Sequence, residues 1–236
     1  MTKIFGEHDV ETLNQMKTVA NDERVLATVL CADGHKGYSV PIGGVVAYLD
    51  AVSPSGVGYD IGCGNMAAQV DANAQDVISN IDEIMDEIYN TISFGIGRKN
   101  KETVNHSIFD APEWDIEAVA PLKDMAQDQL GTVGSGNHFV DLFIDESGLV
   151  WVGVHFGSRG LGHKIASHYI KAGGGKDSMD VAPVVLSTTT NLGEEYVAAM
   201  RLAGEYAYAG REWVVRKVAD ILGASIKSSV HNHHNF

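Results

Sequence analysis

Four short strings hold the residues best able to do chemistry. In Gly56-Val-Gly-Tyr-Asp60-Ile-Gly-Cys63-Gly64 a carboxylate and a thiol stand three residues apart, in a stretch whose glycines permit a tight, irregular backbone. A thiolate and a carboxylate turned to one point repel each other unless a cation lies between them. Taken alone, the same string also fits a glycine turn beside a buried, inert cysteine. Gly134-Ser-Gly-Asn137-His138-Phe139-Val140-Asp141 offers an imidazole ligand and an amide able to bind a phosphate or a purine edge; the bland alternative is a hydrogen-bonded structural histidine. Val154-His155-Phe-Gly157-Ser158-Arg159-Gly160 puts a histidine at a strand end. A serine and helix-opening N–H groups follow it, a setting that favours an anion, with Arg159 able to clamp a phosphate. The plain alternative there is a surface turn with a solvated arginine. Last comes His231-Asn-His233-His234-Asn235-Phe236, whose interleaved asparagines and preceding Ser-Ser-Val are unlike an added histidine tag. Asp60, Cys63, His138, His155 and one terminal histidine therefore form the candidate ligand set. Mixed oxygen, sulfur and nitrogen donors suit Mn²⁺ or Zn²⁺ better than Mg²⁺.

Those residues need elements to hold them. The pattern predicts a helix over 9–21, strands over 25–31 and 43–49 with a Gly-rich link, and a strand over 66–71. Apolar residues at 77, 78, 81, 84, 88 and 92 predict one helix over 74–92. Residues 96–113 read as a polar loop, and a helix is expected around 115–128. The stretches 139–144 and 150–155 read as a β-pair turning at Asp145–Gly148. A helix over 158–172 is stopped by the Gly-Gly-Gly-Lys at 173–176, and the longest helical signal covers 191–222, with Asn191 and Gly223 as end signals. The fold class is α+β, with mixed or antiparallel sheets flanked by helices and no βαβ array.

A chain of 236 residues suffices for one sizeable domain over 1–236, with two small ones as the alternative. Its apolar share of 44% and charged share of 20% are those of a globular protein, and no apolar run reaches the length that spans a bilayer, so no membrane partner is expected. The N-terminus has no secretory pattern and only Cys31 and Cys63 are present, so the expected location is cytoplasmic. A net charge of −14 argues against general nucleic-acid affinity and leaves Arg159, Lys164, Lys171 and Lys176 as the densest local basic candidates.

The strings GVGYDIGCG, GSGNHFVD, VHFGSRGLGHKIA and HHN, preceded by CADGHKGYSVPIGGV, resemble in order and separation those of the RtcB RNA ligase family. The helical stretch GEEYVAAMRLAGEYAYAGREWV is also similar, so the resemblance runs from about Cys31 to Phe236. One Gly-rich string would be weak evidence; five in one order are strong. The resemblance implies two manganese ions. Cys63 falls where the family has a thiolate shared by both, Asp60 and His138 fall on ligands of one ion, and His155 and His234 on ligands of the other. His234 is preferred to His233 because the family motif reads His-Asn. Asn137, His138, Phe139, Val140 and Asp141 match the segment that contacts guanylate, as do His234 and Asn235. The family usually has Glu where this chain has the shorter Asp141.

The implied reaction joins RNA ending in a 3′-phosphate or 2′,3′-cyclic phosphate to RNA beginning with a 5′-hydroxyl, with GTP guanylating a histidine. That histidine lies downstream of the HHN motif in the family, and no position here matches it. The expectation is a fold incomplete at its C-terminal end: a fragment, a split protein completed by a C-terminal polypeptide, or a relative that no longer ligates. If strands of another half complete the sheet, this part would expose an apolar edge. The alternatives are a metal-dependent phosphodiesterase or cyclic phosphatase, and a non-catalytic metal- or nucleotide-binding remnant.

Overall fold

A computed structural model describes residues 2–176 and 181–236. Two compact units emerge, one made of residues 1–59 and 165–199 and the other of residues 60–164 and 200–236. The first contains a mixed three-stranded sheet. Strand β1 (Thr2–Ile4) runs parallel to β2 (Val25–His35), and β3 (Ile42–Tyr48) runs antiparallel to β2. Helix α1 (Val10–Ala20) begins where Asp9 caps it by accepting from the Thr12 N–H, and buries Met16 and Val19. Short strand β4 (Ala51–Val52) and the single-turn helix α2 (Pro54–Val57) complete this run.

The second unit is organised around a four-stranded antiparallel sheet. Its strands are β5 (Gly64–Val70), β6 (Phe139–Ile144), β7 (Val150–Phe156) and β9 (Ile226–His233), in the order β6-β7-β5-β9; β8 (Leu186–Ser187) pairs with β4 in the first unit. Alternation along the strands decides which face is covered. Met66, Ala68 and Val70 of β5 join Val140, Val150, Val152, Val154 and Phe156 in the core. They pack with Val214, Val215 and Val218 from the C-terminal part of α7 (Asn191–Ile221). Helices α3 (Ala74–Ser79) and α4 (Ile81–Thr91) add Val77 and Ile88 to the same core. The expected β-pair across Asp145–Gly148 is present, and so is the helix after the Gly-Ser-Arg-Gly turn, as α6 (Arg159–Ala172).

Two expectations need correcting. The helix over 74–92 is two helices, because Asn80 leaves helical geometry and its side-chain amide bonds the Asp76 carbonyl, competing with the backbone ladder. The helix around 115–128 shrinks to α5 (Lys123–Gln129). Pro112 and Pro121 confine the residues before it to 3-10 turns. The terminal histidine string, for which the sequence suggests no element, is strand over its first half, as the end of β9. β9 forms one edge of the sheet and leaves Val230 63% exposed, so it shows little of the alternation by which a half-buried strand is recognised. No helix among the described residues is long and apolar enough to cross a membrane.

Candidate metal centre

The register of the four-stranded sheet collects the ligand-type residues at one rim. Gly64, the first residue of β5, pairs with Phe156 near the end of β7 and with His233 at the end of β9, while Phe139, which opens β6, pairs with His155. In antiparallel pairs, strand starts lie beside strand ends. Cys63 and His138, each one residue before a strand, therefore meet His155 and His234, each at or just past a strand end. Two groups of donor atoms result, Asp60–Cys63–His138 and Cys63–His155–His234, each with all its atoms within 4.8 Å of one another. Cys63 belongs to both.

Within the first group His138 Nε2 lies 2.9 Å from Asp60 Oδ2 and 4.0 Å from Cys63 Sγ. The other ring nitrogen, Nδ1, donates to the Val133 carbonyl at 3.0 Å, since a carbonyl can only accept. Arg159 Nη1, 3.2 Å from that same Nδ1, is then a close approach and not a second hydrogen bond. In the neutral imidazole, Nε2 presents a lone pair to a carboxylate, an arrangement that calls for a proton or a metal ion between them.

In the second group Cys63 Sγ lies 3.4 Å from His155 Nε2. Sulfur and nitrogen ligands about 2.3 and 2.05 Å from one tetrahedral ion stand roughly 3.5 Å apart, so this spacing fits a shared cation. His155 is set by its cross-strand neighbours on the same face. Its Nδ1 donates to Asn65 Oδ1 at 2.9 Å, leaving the Nε2 lone pair free for an ion, and its ring stacks at 5.7 Å on Phe139 and at 5.7 Å on His234. The His234 N–H donates to the Cys63 carbonyl, tying the end of β9 to the start of β5.

Electrostatics reinforce the arrangement. Burial works to raise the Asp60 carboxyl, but a proton between it and His138 Nε2, with the hydrogen bond and charge this brings, the Cys63 thiol and Arg159 outweigh it and hold the group below the usual carboxylate range. Burial, with the Asp60 charge beside it, pushes the Cys63 thiol far up, so without a cation it stays protonated; a coordinated thiol is deprotonated outright. Burial and the neighbouring His138 and His234 lower His155, keeping it a neutral ligand-type imidazole.

The backbone makes room for these side chains. Gly134 has φ +92°, and a Cβ there would collide with the Arg159 guanidinium; one at Gly157 would meet the Asp60 carboxylate. Asn137 is exposed, its Nδ2 3.5 Å from His155 Nε2. Asp141 lies exposed on the same sheet face as Phe139 and His155, whereas Val140 turns into the core and can reach a ligand there only through its main chain. Asn235 is half-buried just beyond His234. His233, passed over for His234, packs against Phe236 with ring centroids 4.3 Å apart and helps line a separate cavity of about 560 Å³. Among the four basic candidates, Arg159 turns toward His138 and Lys164 is exposed; Lys171 and Lys176 are exposed in the other unit.

Sequence reasoning missed Asn65 and Arg211. Asn65 follows Cys63 by two residues, the spacing that returns to the same side of a strand. Arg211 is fully buried in α7 and could have been suspected from the apolar residues at i−4, i+3 and i+4, Ala207, Val214 and Val215. Its Nη1 donates to the carbonyls of Gly62 and Phe156 at 2.7 and 2.6 Å, and its Nε donates to His231 Nε2 at 2.9 Å.

An α+β protein with a cysteine shared between two donor clusters at a sheet rim is the class that this geometry defines. The family model described as tRNA-splicing ligase RtcB matches residues 15–123 and 115–236, and the chain belongs to that family. It is 29% identical to the tRNA-splicing ligase RtcB of Thermococcus kodakarensis over 247 residues, covering 82% of this chain and 51% of that one. Against the protein of the same name from Nanoarchaeum equitans it is 29% identical, with 92% and 57% covered. The RNA-splicing ligase RtcB homolog 1 of Entamoeba histolytica is 26% identical, with 84% and 48% covered. The chain thus spans about half the length of the curated relatives it matches.

Proposed function

We propose that this chain carries the metal-binding part of an RNA ligase, joining 3′-phosphate or 2′,3′-cyclic phosphate ends to 5′-hydroxyl ends with GTP as co-substrate. The observation that carries the reading is the sharing of Cys63 between the Asp60–His138 and His155–His234 clusters, a donor set fit for two manganese ions. Such a pair, when bound, stabilises charge on the attacking and leaving oxygens of a phosphoryl-type displacement. Asp60, Cys63 and His138 would hold one ion, and Cys63, His155 and His234 the other. Asn65 fixes the tautomer of His155, and Val133 that of His138. Arg159 would meet a phosphate oxygen, and Asn137, Phe139, Val140, Asp141 and Asn235, with His138 and His234, would face the guanylate. On this reading residues 1–236 act as one catalytic domain in the cytoplasm, and the guanylated histidine lies outside residues 1–236. The exposed edge strand β9, with Val230 uncovered, can accept a further strand.

The test is metal stoichiometry combined with guanylation. After purification with Mn²⁺, two ions per chain are expected, none in Cys63→Ala, and one each in Asp60→Ala and His234→Ala. Labelled GTP should leave no covalent guanylate on this chain. Absence of metal from the wild-type chain would overturn the two-ion reading. Covalent labelling would show that one of its own histidines is the nucleophile.

A further inference from the structure

Arg211 is fully buried, and no carboxylate lies within ion-pairing distance of it among the described residues. An unpaired buried cation is unfavourable unless directional bonds hold it. Here one guanidinium reaches three strand ends at once. Nη1 holds the carbonyl of Gly62, one peptide before Cys63, and that of Phe156, one peptide after His155; Nε holds His231, three residues before His234. Its Cζ lies 4.7 Å from the Tyr208 ring centroid, and Nη2 has no protein partner. Each tether therefore lies within three residues of a member of the Cys63–His155–His234 cluster, and all three meet in one α7 side chain.

We infer that Arg211 is a positioning residue for that cluster: it sets the main chain of β5, β7 and β9 at the rim so that Cys63 Sγ, His155 Nε2 and His234 converge. The inference rests on the metal reading of those side chains. A lysine at this position would keep the charge but could not supply Nε and Nη1 in a fixed fork. Charge and geometry are therefore separable.

Arg211→Lys and His231→Leu, the latter removing only the tether on β9, are titrated with Co²⁺ beside the wild type. The readouts are affinity, the near-ultraviolet thiolate–cobalt band, far-ultraviolet circular dichroism, and the ring resonances of His155 and His234 in the metal-free chain. Both variants are expected to keep the native dichroism, lose about 10- to 100-fold in affinity at the cluster, shift the thiolate band, and shift both ring resonances. Should Arg211→Lys fail to fold, His231→Leu decides alone. Unchanged affinity, band and ring resonances in a folded variant would overturn the inference. A wild-type chain that takes up no cobalt would overturn the metal reading instead, and the metal-free ring resonances would then decide for Arg211.

Discussion

Gly134→Ala isolates a single physical effect at the rim. The residue sits at φ +92°, where an L-side chain is strained by about 1–2 kcal/mol. Its new Cβ would also overlap the Cζ, Nη1 and Nη2 atoms of Arg159, so the guanidinium must withdraw by more than 1 Å, roughly, to restore ordinary carbon–nitrogen contact. Overpacking of that kind adds about 1–3 kcal/mol, giving a total of about 2–5 kcal/mol. For a chain of this size each kilocalorie lowers Tm by roughly 2–4 °C. The assay is thermal unfolding of Gly134→Ala, Arg159→Ala and the double variant. Removing Arg159 abolishes the collision but not the dihedral strain, so the alanine should destabilise the Arg159→Ala background by only about 1–2 kcal/mol. The cycle then gives a coupling of about 1–3 kcal/mol. Equal destabilisation in both backgrounds would refute the claim that Gly134 exists to admit Arg159.

Two further outcomes are expected. Asn65→Leu removes the acceptor that holds His155 Nδ1–H and should lower Co²⁺ affinity about 10- to 100-fold with the sheet intact; titration that matches the wild type would show that Phe139 and His234 suffice to orient the ring. His231 is lowered to about 4 by burial and by Arg211, so it is neutral in the fold. A group with a depressed folded pKa contributes stability that is full above its unfolded value of 6.5 and is lost as pH falls toward 4. Thermal unfolding should therefore show a loss of stability across that window that His231→Gln flattens; an unchanged slope in the variant would refute the assignment.

Much of the site was legible because its residues sit in glycine-rich strings, where a side chain able to ligate is conspicuous among residues with none. Cys63, His138 and His155 stand out in such strings, and the strands beside them are legible as short apolar runs, two of them around the turn at Asp145–Gly148. β9 is not. Lys227, Ser228 and Ser229 look like a loop, because an edge strand exposed on both sides lacks the alternation that burial imposes. Without it the sequence could order the ligands but not explain why they meet, since the convergence depends on register between strands more than 150 residues apart. Arg211 escaped for the opposite reason. Two of its three partners are main-chain carbonyls, which leave no trace in residue types. The break at Asn80 was hidden because the apolar spacing continues through it, while a single side-chain hydrogen bond decides the backbone.

The place of β9 in the chain sets an order of assembly. Asp60, Cys63 and His138 emerge from the ribosome within 79 residues of one another, and all three are out before β7 is made. His234 follows Cys63 by 171 residues, after the whole of α7, and reaches the rim only when β9 lays itself along β5. Translation at roughly 5–20 residues per second separates those events by several seconds. Because β7 lies between β5 and β6, the first donor set converges only once β7 has paired, and the second waits further for β9.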